Sequence, residues 1–410
     1  MSGWRQLAVR DLGRVVTGKT PPTGSAEYFE GGDELFVSPK DLSRSSYYVD
    51  KTETRITERA LQKFKGQVIP RNTVMFTSLS FAFGKMGIAA QRCMTNQQIN
   101  SVVVDAEHDF KFVYYLLRAY ESIIFSFNSG IDTPIVPKSV FESIQINVPA
   151  DRVAEEKIAA ILSAYDDLIA NNQRRIALLE SMAEEIYREW FVRNRPAGAE
   201  TAEARRVVQE RWTTRTLPEV ASITYGFPFA GERFNTAAVG KPIVRIRDVL
   251  VGRTDDYTDE VANDKYLVRA GDLLIGMDGE FHMNHWVGDE AYLVQRVCRV
   301  EARDAHLRAY LSHALRVPVR YFQETIVGAT VGHLGAKHLN SIQIVVPDTG
   351  FQPNLERLNE LLDLKLALAK QSLALSRSRD ALLPRLISGK LKVDHLDIQL
   401  PPSMREKVTA

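Results

Sequence analysis

Ser143-Ile144-Gln145-Ile146-Asn147-Val148-Pro149 returns 198 residues later as Ser341-Ile342-Gln343-Ile344-Val345-Val346-Pro347, with six of seven positions identical. The same offset pairs Gly130 with Gly328, Gln97 with Gln295 and Arg71 with Arg269. Nearer the start, an offset of 207 or 208 pairs Trp4 with Trp212, Gly18 with Gly226 and Asp41 with Asp248. The matches are collinear. Solenoids repeat every 20–50 residues or so, and a period near 200 instead means a duplicated domain. Each copy opens with a mixed region of short β-like runs, such as Ser101 to Val104, and short helices, at 110–124 and roughly 306–316. Each mixed region closes on a β-like run ending in proline, Pro149 or Pro347.

A long helix follows each copy. Ile158, Leu162, Tyr165, Ile169, Asn172, Ile176, Leu179, Ala183, Ile186 and Trp190 step by four and three, the heptad seam that keeps one stripe facing a partner helix. No Pro or Gly interrupts Asp151 to Arg195; about 40 residues rising ~1.5 Å each span roughly 60 Å. Asn172 in that seam is either a tolerated polar position or a register-fixing one. The second helix spans about Pro353 to Leu383, with Leu358, Leu361, Lys365, Leu368, Ser372, Leu375, Arg379 and Leu382 in its seam. Pro384 is expected to kink or end it, because proline lacks the N–H and clashes with the preceding turn. Two apolar stripes of this length are covered most simply by each other. The expected fold is α+β: two mixed α/β domains joined by two long antiparallel helices in a coiled coil, a pseudo-twofold dumbbell. The divisions are 1–150 and 212–347 for the mixed domains, 151–195 and 348–391 for the helices, 196–211 for a linker and 392–410 for a tail.

Composition excludes several classes. The chain has 410 residues, 45% hydrophobic and 25% charged, which suits two or three ordinary globular domains. Two distant cysteines, Cys93 and Cys298, suit a reducing cytoplasm and are too few for a zinc ribbon. No apolar run is long enough for a membrane span. The net charge is +1. Residues 1–149 carry 17 basic and 15 acidic groups and residues 212–346 carry 15 and 16, so neither domain has a bulk basic signature.

Catalytic motifs are absent or fail on context. Gly13 to Thr20 fits G-x-x-x-x-G-K-[ST], but Pro21-Pro22 follows at once and Pro22 holds Pro21 extended, so the helix a phosphate loop needs cannot start at Lys19. The repeat copy, Tyr225-Gly226-Phe227-Pro228, lacks the Lys-Thr. His282 and His285 have metal-compatible spacing but no third ligand in view; they also suit hydrogen bonding to a partner, or an ordinary polar loop. No G-x-S-x-G, cysteine-protease or methyltransferase signature is present.

Several stretches together resemble the specificity subunits of type I restriction–modification systems, over nearly the whole chain. Leu12-Gly13 through Pro21 resembles the family's opening segment. Phe36 to Leu42 and Ile243 to Val249 are similar to its early strand and turn, and Gly328 to Leu334 with Leu339 to Ile342 to the close of a recognition domain. Leu382-Leu383-Pro384-Arg385-Leu386-Ile387-Ser388-Gly389-Lys390-Leu391 resembles its C-terminal signature. The first copy departs from the closing pattern, reading Ser129 to Pro137.

The resemblance implies a non-catalytic, cytoplasmic subunit with two target recognition domains, each reading one half of an interrupted, asymmetric sequence in double-stranded DNA. The helices are then a ruler, in which an added heptad changes the gap between half-sites, and a dock for two modification (methyltransferase) subunits. Those partners carry S-adenosylmethionine, and restriction subunits join the larger complex. This chain itself holds no cofactor or metal. The competing reading is a coiled-coil adaptor displaying two protein-binding domains.

Arg and Lys pair with phosphates, Arg binds guanine bidentately, and Asn and Gln do so with adenine. The expected DNA contacts in the first domain are Lys19, Lys40, Arg71, Ser80, Phe83, Lys85, Gln97, Gln98 and Thr133. In the second they are Tyr225, Arg245, Arg247, Asp278, His282, Asn284, His285, Arg296, Thr330 and His333. Phe81 and Phe83 suit the core equally well.

Overall fold

The computed structural model describes residues 3–43, 47–79, 84–127, 135–193, 195, 201–326, 332–348 and 351–398. It divides into two units: Met1–Asn171 with Ala374–Ala410, and Asn172–Leu373. Each long helix therefore contributes one half to each unit.

In unit 1, Trp4–Ala8 and Gln145–Pro149 form an antiparallel ribbon in the register Trp4↔Pro149. A five-stranded sheet runs in the order Gly13–Thr17, Ile99–Val104, Val74–Thr77, Met86–Ala89 and Tyr48–Val49. A four-stranded sheet runs Thr54–Ile56, Glu34–Val37, Cys93–Thr95 and Val68–Ile69. Val74–Thr77 is buried at all four positions, as a strand covered on both faces must be. Phe112, Tyr115 and Leu116 of the helix Phe110–Ala119 share a core with Val74, Phe76 and Val102.

Unit 2 repeats this plan. Thr213–Thr216 pairs with Gln343–Val346 as the ribbon. One sheet runs Ala221–Tyr225, Val297–Ala302, Leu273–Gly276 and Met283–His285; the other runs Phe234–Asn235, Tyr257–Thr258, Lys241–Val244, Ala291–Leu293 and Leu267–Val268. The strand order is that of unit 1, with one strand lost from the first sheet and one gained in the second. The helix Ile246–Val251 now packs beside Leu273–Gly276.

The long helices span Arg152–Tyr187 and Gln352–Ile387, 36 residues each. Asp151 caps the first, its Oδ1 accepting from Val153 N–H at 3.0 Å. The pairing is antiparallel within each unit: Asp166 meets Arg379 in unit 1, and Asn172 meets Gln371 and Glu180 meets Lys365 in unit 2. The seam positions Ile158, Leu162, Ile169, Asn172 and Ala183 are buried, as are Leu358, Leu361, Leu368 and Arg379.

Three details differ from the sequence reading. The first helix changes to a π-turn over Arg188–Val192, where Arg193 N–H donates to the Arg188 carbonyl at 2.8 Å. The wider turn brings Phe191 against Tyr310 (ring centroids 4.7 Å apart), Phe351 (5.4 Å) and Trp212 (5.5 Å), with Trp190 on Phe351 at 6.1 Å. The second helix passes through Pro384 to Ile387, because Leu383, Leu386 and Ile387 are buried in the unit 1 core. The segment between the halves carries a helix, Ala202–Gln209.

Candidate nucleic-acid interface

The residues singled out by the repeat meet in space. Gly18 follows the strand Gly13–Thr17 and donates to the Ile99 carbonyl at 3.2 Å; Gly226 donates to the Val297 carbonyl at 3.0 Å. A Cβ at Gly18 would lie 2.2 Å from the carbonyl oxygens of Thr95 and Asn96, and one at Gly226 2.1 Å from that of Val294. No side chain fits at either place. The next residues, Lys19 and Phe227, donate to the carbonyls of Thr95 (2.9 Å) and Leu293 (2.8 Å). The apparent phosphate loop is thus a strand and a turn, and no helix starts at Lys19 or Thr20.

That turn abuts a second recurring feature. In unit 1, Ser78 N–H donates to the Gln98 carbonyl (2.8 Å) and the Ser78 carbonyl accepts from Val136 N–H (2.9 Å). In unit 2, Met277 N–H donates to the Arg296 carbonyl (2.8 Å) and the Met277 carbonyl accepts from Leu334 N–H (2.7 Å). The neighbouring residues form isolated antiparallel bridges, Leu79 with Ile135 and Asp278 with His333. One backbone junction, joining a strand end, a turn and a returning segment, is built twice.

Its side chains differ. In unit 2, Arg296 Nε lies 3.3 Å from Asp278 Oδ2, and His333 Nδ1 lies 2.5 Å from Asp278 Oδ1. An Nδ1–H donated to Asp278 cannot also accept from Arg296, so the 3.3 Å approach of Arg296 Nη1 to that nitrogen is proximity only. Arg296, Asp278 and His333 side chains are 52%, 28% and 45% exposed. Arg296 sits at φ 73°, a left-handed conformation costly for a non-glycine residue. Gln323, for which the sequence offers no local signal, steadies the adjoining loop: its Nε2 donates to the Gly279 carbonyl (2.9 Å) and its Oε1 accepts from Phe281 N–H (2.6 Å). His282 Nε2 lies 3.3 Å from Glu280 Oε2.

In unit 1 the same place carries neutral amides. Thr20 Oγ1 donates to Gln97 Oε1 at 2.7 Å, and Asn96, also missed by the sequence reading, donates from Nδ2 to Gln98 Oε1 at 3.2 Å. Lys19 Nζ lies 5.6 Å from the centroid of the Phe64 ring. Lys85 Nζ donates to the Pro39 carbonyl at 3.1 Å, next to exposed Lys40, which is 3.8 Å from Glu53. Arg71 is exposed on the turn before Val74–Thr77.

Other expected contacts lie elsewhere. Arg245 and Arg247 both pair with Asp256, and Arg245 covers the Phe234 ring at 5.6 Å. The Asp41 carboxylate accepts from Ser38 N–H and the Asp248 carboxylate from Arg245 N–H, so this repeated motif is a turn cap. Burial raises Asp248 to about 7, against the pull of Arg247. The Tyr225 hydroxyl is buried, and burial raises its pKa. Asn284 spends its amide on the Leu250 carbonyl and the His285 N–H. His285 is 5% exposed and faces inward, a correction to its assignment as a surface contact; residues three apart on an extended chain point to opposite faces, so it does not converge with His282. Ser80, Phe83, Thr133 and Thr330, together with Phe81, Gly130 and Gly328, lie outside the described residues.

His285 lines a cavity of about 100 Å³ in unit 2 with Leu361, Leu362, Ala183, His313 and Lys365. Its Nε2 has no hydrogen-bond partner among the described residues. Burial, with nearby Lys365 and Arg308, lowers its pKa to about 3. Burial and Arg316 lower His313 to about 4, opposed by Glu184 at 3.1 Å. Burial pushes the Cys93 and Cys298 thiols up to about 12. Among the described residues no cluster of three His, Cys, Asp or Glu could hold a metal, and no helix is long and apolar enough to cross a membrane.

Residues 1–181 match a family described as the type I restriction modification DNA specificity domain. The chain is 26% identical over 416 residues to the type I restriction enzyme MjaIX specificity subunit of Methanocaldococcus jannaschii, covering 96% of this chain and 94% of that one. It is 32% identical over 196 residues to the type I restriction enzyme EcoBI specificity subunit of Escherichia coli, covering 46% and 41%. Its fold is similar to the crystal structure of a type I restriction–modification S subunit from M. genitalium, with a TM-score of 0.57 at 18% identity over 93% of this chain and 96% of that one. Over nearly its whole length the chain is thus similar to type I restriction–modification specificity subunits, and its first 181 residues match the DNA specificity domain of those systems.

Proposed function

We propose that the chain selects an interrupted, asymmetric DNA target, one half read by each unit, and delivers it to two modification subunits docked on the long helices. The observation that carries this reading is the junction built twice on one backbone plan, with Asp278, Arg296 and His333 in one copy and Leu79, Gln98 and Ile135 in the other. Equal frames with unequal side chains suit two half-sites of different sequence. The modification subunits hold S-adenosylmethionine and methylate the site, restriction subunits complete the assembly, and the complex works in the cytoplasm.

Docking is supported by apolar side chains exposed along the helices. Leu168 is 54% exposed in unit 1; Leu178 (64%), Met182 (48%) and Leu364 (53%) are exposed in unit 2. The chain's net charge of +1 leaves much of the phosphate grip to the partners. DNA binding by the assembled complex is therefore expected to fall more steeply with salt than binding by this chain alone.

The test is methylation mapping by single-molecule sequencing after co-expression with the neighbouring methyltransferase in a methylation-free host. An interrupted motif with two unlike halves, modified once on each strand, is expected. A soluble complex that modifies no new motif would overturn the reading in favour of an adaptor.

A further inference from the structure

The turn beside each junction ends in a residue whose carbonyl is fixed by the same backbone bond, Gln98 in unit 1 and Arg296 in unit 2. We propose that Arg296 reads a guanine in the half-site of unit 2, and that Gln98, from the equivalent place, reads an adenine in the half-site of unit 1. The proposal rests on the DNA-reading function above.

The geometry around Arg296 separates a base contact from a phosphate contact. Asp278 Oδ2 sits 3.3 Å from Arg296 Nε. A carboxylate this close offsets the cation's attraction for a phosphate, so the arrangement is a poor nonspecific grip. It suits a base edge well, because a guanine offers O6 and N7 as two neutral acceptors, and a guanidinium held by its Nε side presents its two terminal nitrogens to them. Asp278 is in turn held by His333 at 2.5 Å, which fixes the carboxylate and through it the guanidinium plane. Asp278 and His333 are therefore positioning residues. The left-handed backbone at Arg296, φ 73°, is the kind of strain that collects where a side chain must be aimed.

Gln98 occupies that place without a charge. Its Oε1 accepts from Asn96 Nδ2 at 3.2 Å, and its backbone N–H donates to Asn96 Oδ1 at 3.1 Å, so Asn96 holds both ends of the residue. An amide held in this way offers one acceptor and one donor, the pattern that matches adenine N6 and N7.

The experiment uses the assembled complex and duplexes bearing the motif found by methylation mapping, with each base pair varied in turn. Arg296→Ala is expected to erase discrimination at one G·C pair of one half-site, with cognate affinity falling about 5- to 150-fold, a loss equivalent to about 1–3 kcal/mol. Replacing that guanine with 7-deazaguanine, which lacks the N7 acceptor, is expected to weaken the wild type and leave Arg296→Ala unaffected. Arg296→Lys keeps the charge but not the fork, and is expected to lose the same discrimination with an unchanged salt slope. Gln98→Ala is expected to relax one A·T pair in the other half-site. The proposal is overturned if Arg296→Ala and Arg296→Lys keep full discrimination at every G·C pair, if the relaxed position is an A·T pair, or if affinity falls equally for all sequences. A wild-type complex with no interrupted motif would instead sink the DNA-reading function, and this proposal with it.

Discussion

Asn172 on the first long helix donates from Nδ2 to Oε1 of Gln371 on the second, at 2.9 Å. Asn172 is 4% exposed in a seam otherwise made of aliphatic and aromatic side chains, so the alternative to this bond is an amide without a partner. The sequence left open whether Asn172 is merely tolerated; the bond to the facing helix shows that it has a specific mate. Gln371→Leu is expected to cost about 1–3 kcal/mol, the penalty for stranding a buried polar group. The double variant Asn172→Leu with Gln371→Leu is expected to recover most of that loss in urea denaturation. A double variant as unstable as the sum of the singles would refute this account.

In unit 1 the helix pair buries a charge pair. Arg379 and Asp166 side chains are 2% and 3% exposed, and Tyr115 donates its hydroxyl to Asp166 Oδ2 at 2.5 Å. Burial opposes the charge on Arg379, but Asp166 and Asp380 outweigh it and hold the guanidinium above its ordinary range. Arg379→Met is expected to destabilise unit 1 by about 3–5 kcal/mol, because it leaves a buried carboxylate unpaired. Adding Asp166→Leu and Tyr115→Phe should restore stability, as removing a whole buried polar cluster often does. Thermal unfolding of the two variants separates these outcomes.

His285 and His313 make unit 2 sensitive to acid. Their folded pKa values are lowered, to about 3 and about 4, from an ordinary 6.5. As pH falls below 6.5 the unfolded chain takes up protons that the folded chain refuses, so stability declines progressively toward pH 4. Above pH 7 both states are neutral and the effect vanishes. His285→Phe is expected to flatten the stability profile between pH 6.5 and 4. A profile unchanged by the substitution would assign the acid sensitivity to other groups.

Gly389 ends the second long helix at φ 70°, and a Cβ there would lie 2.5 Å from Nε1 of Trp4. Both the left-handed backbone and the indole exclude a side chain. Gly389→Ala is expected to cost about 1–3 kcal/mol, whereas an ordinary surface change such as Lys390→Ala costs under about 0.5 kcal/mol. Denaturant midpoints of the two variants provide the comparison.

Much of this architecture is legible in the sequence because it is written as periodicity and as repetition. The seam from Ile158 to Trp190 announces a helix with one covered face, and the pairing of Gly18 with Gly226 marks a backbone position the fold uses twice. What the sequence does not carry is convergence between distant segments. Asp278, Arg296 and His333 could each be proposed singly, yet their meeting depends on a strand end, a turn and a returning segment far apart in the chain. His285 belongs to a polar-looking stretch, but strand alternation turns it inward toward the cavity beside the helix pair, while the neighbouring Asn284 spends its amide on local backbone groups. Arg379 sat in the seam without a partner until Asp166 and Tyr115 were brought to it. The helix outlasts Pro384 because three buried apolar side chains around it outweigh one missing N–H.

Unit 2 is one unbroken stretch, residues 172–373, whereas unit 1 needs segments from both sides of it. Leu383, Leu386, Ile387 and Val393 fill the core that Val9, Phe112, Ile146 and Ile158 begin. On the ribosome, where domains fold as units while the chain emerges, the earlier-made domain is therefore the later to be finished. Its apolar interior waits, uncovered, through the synthesis of some two hundred further residues. A chain broken off after residue 373 would carry a complete unit 2 and an unfinished unit 1, and the open core of unit 1 is what would mark it for the cell's quality control.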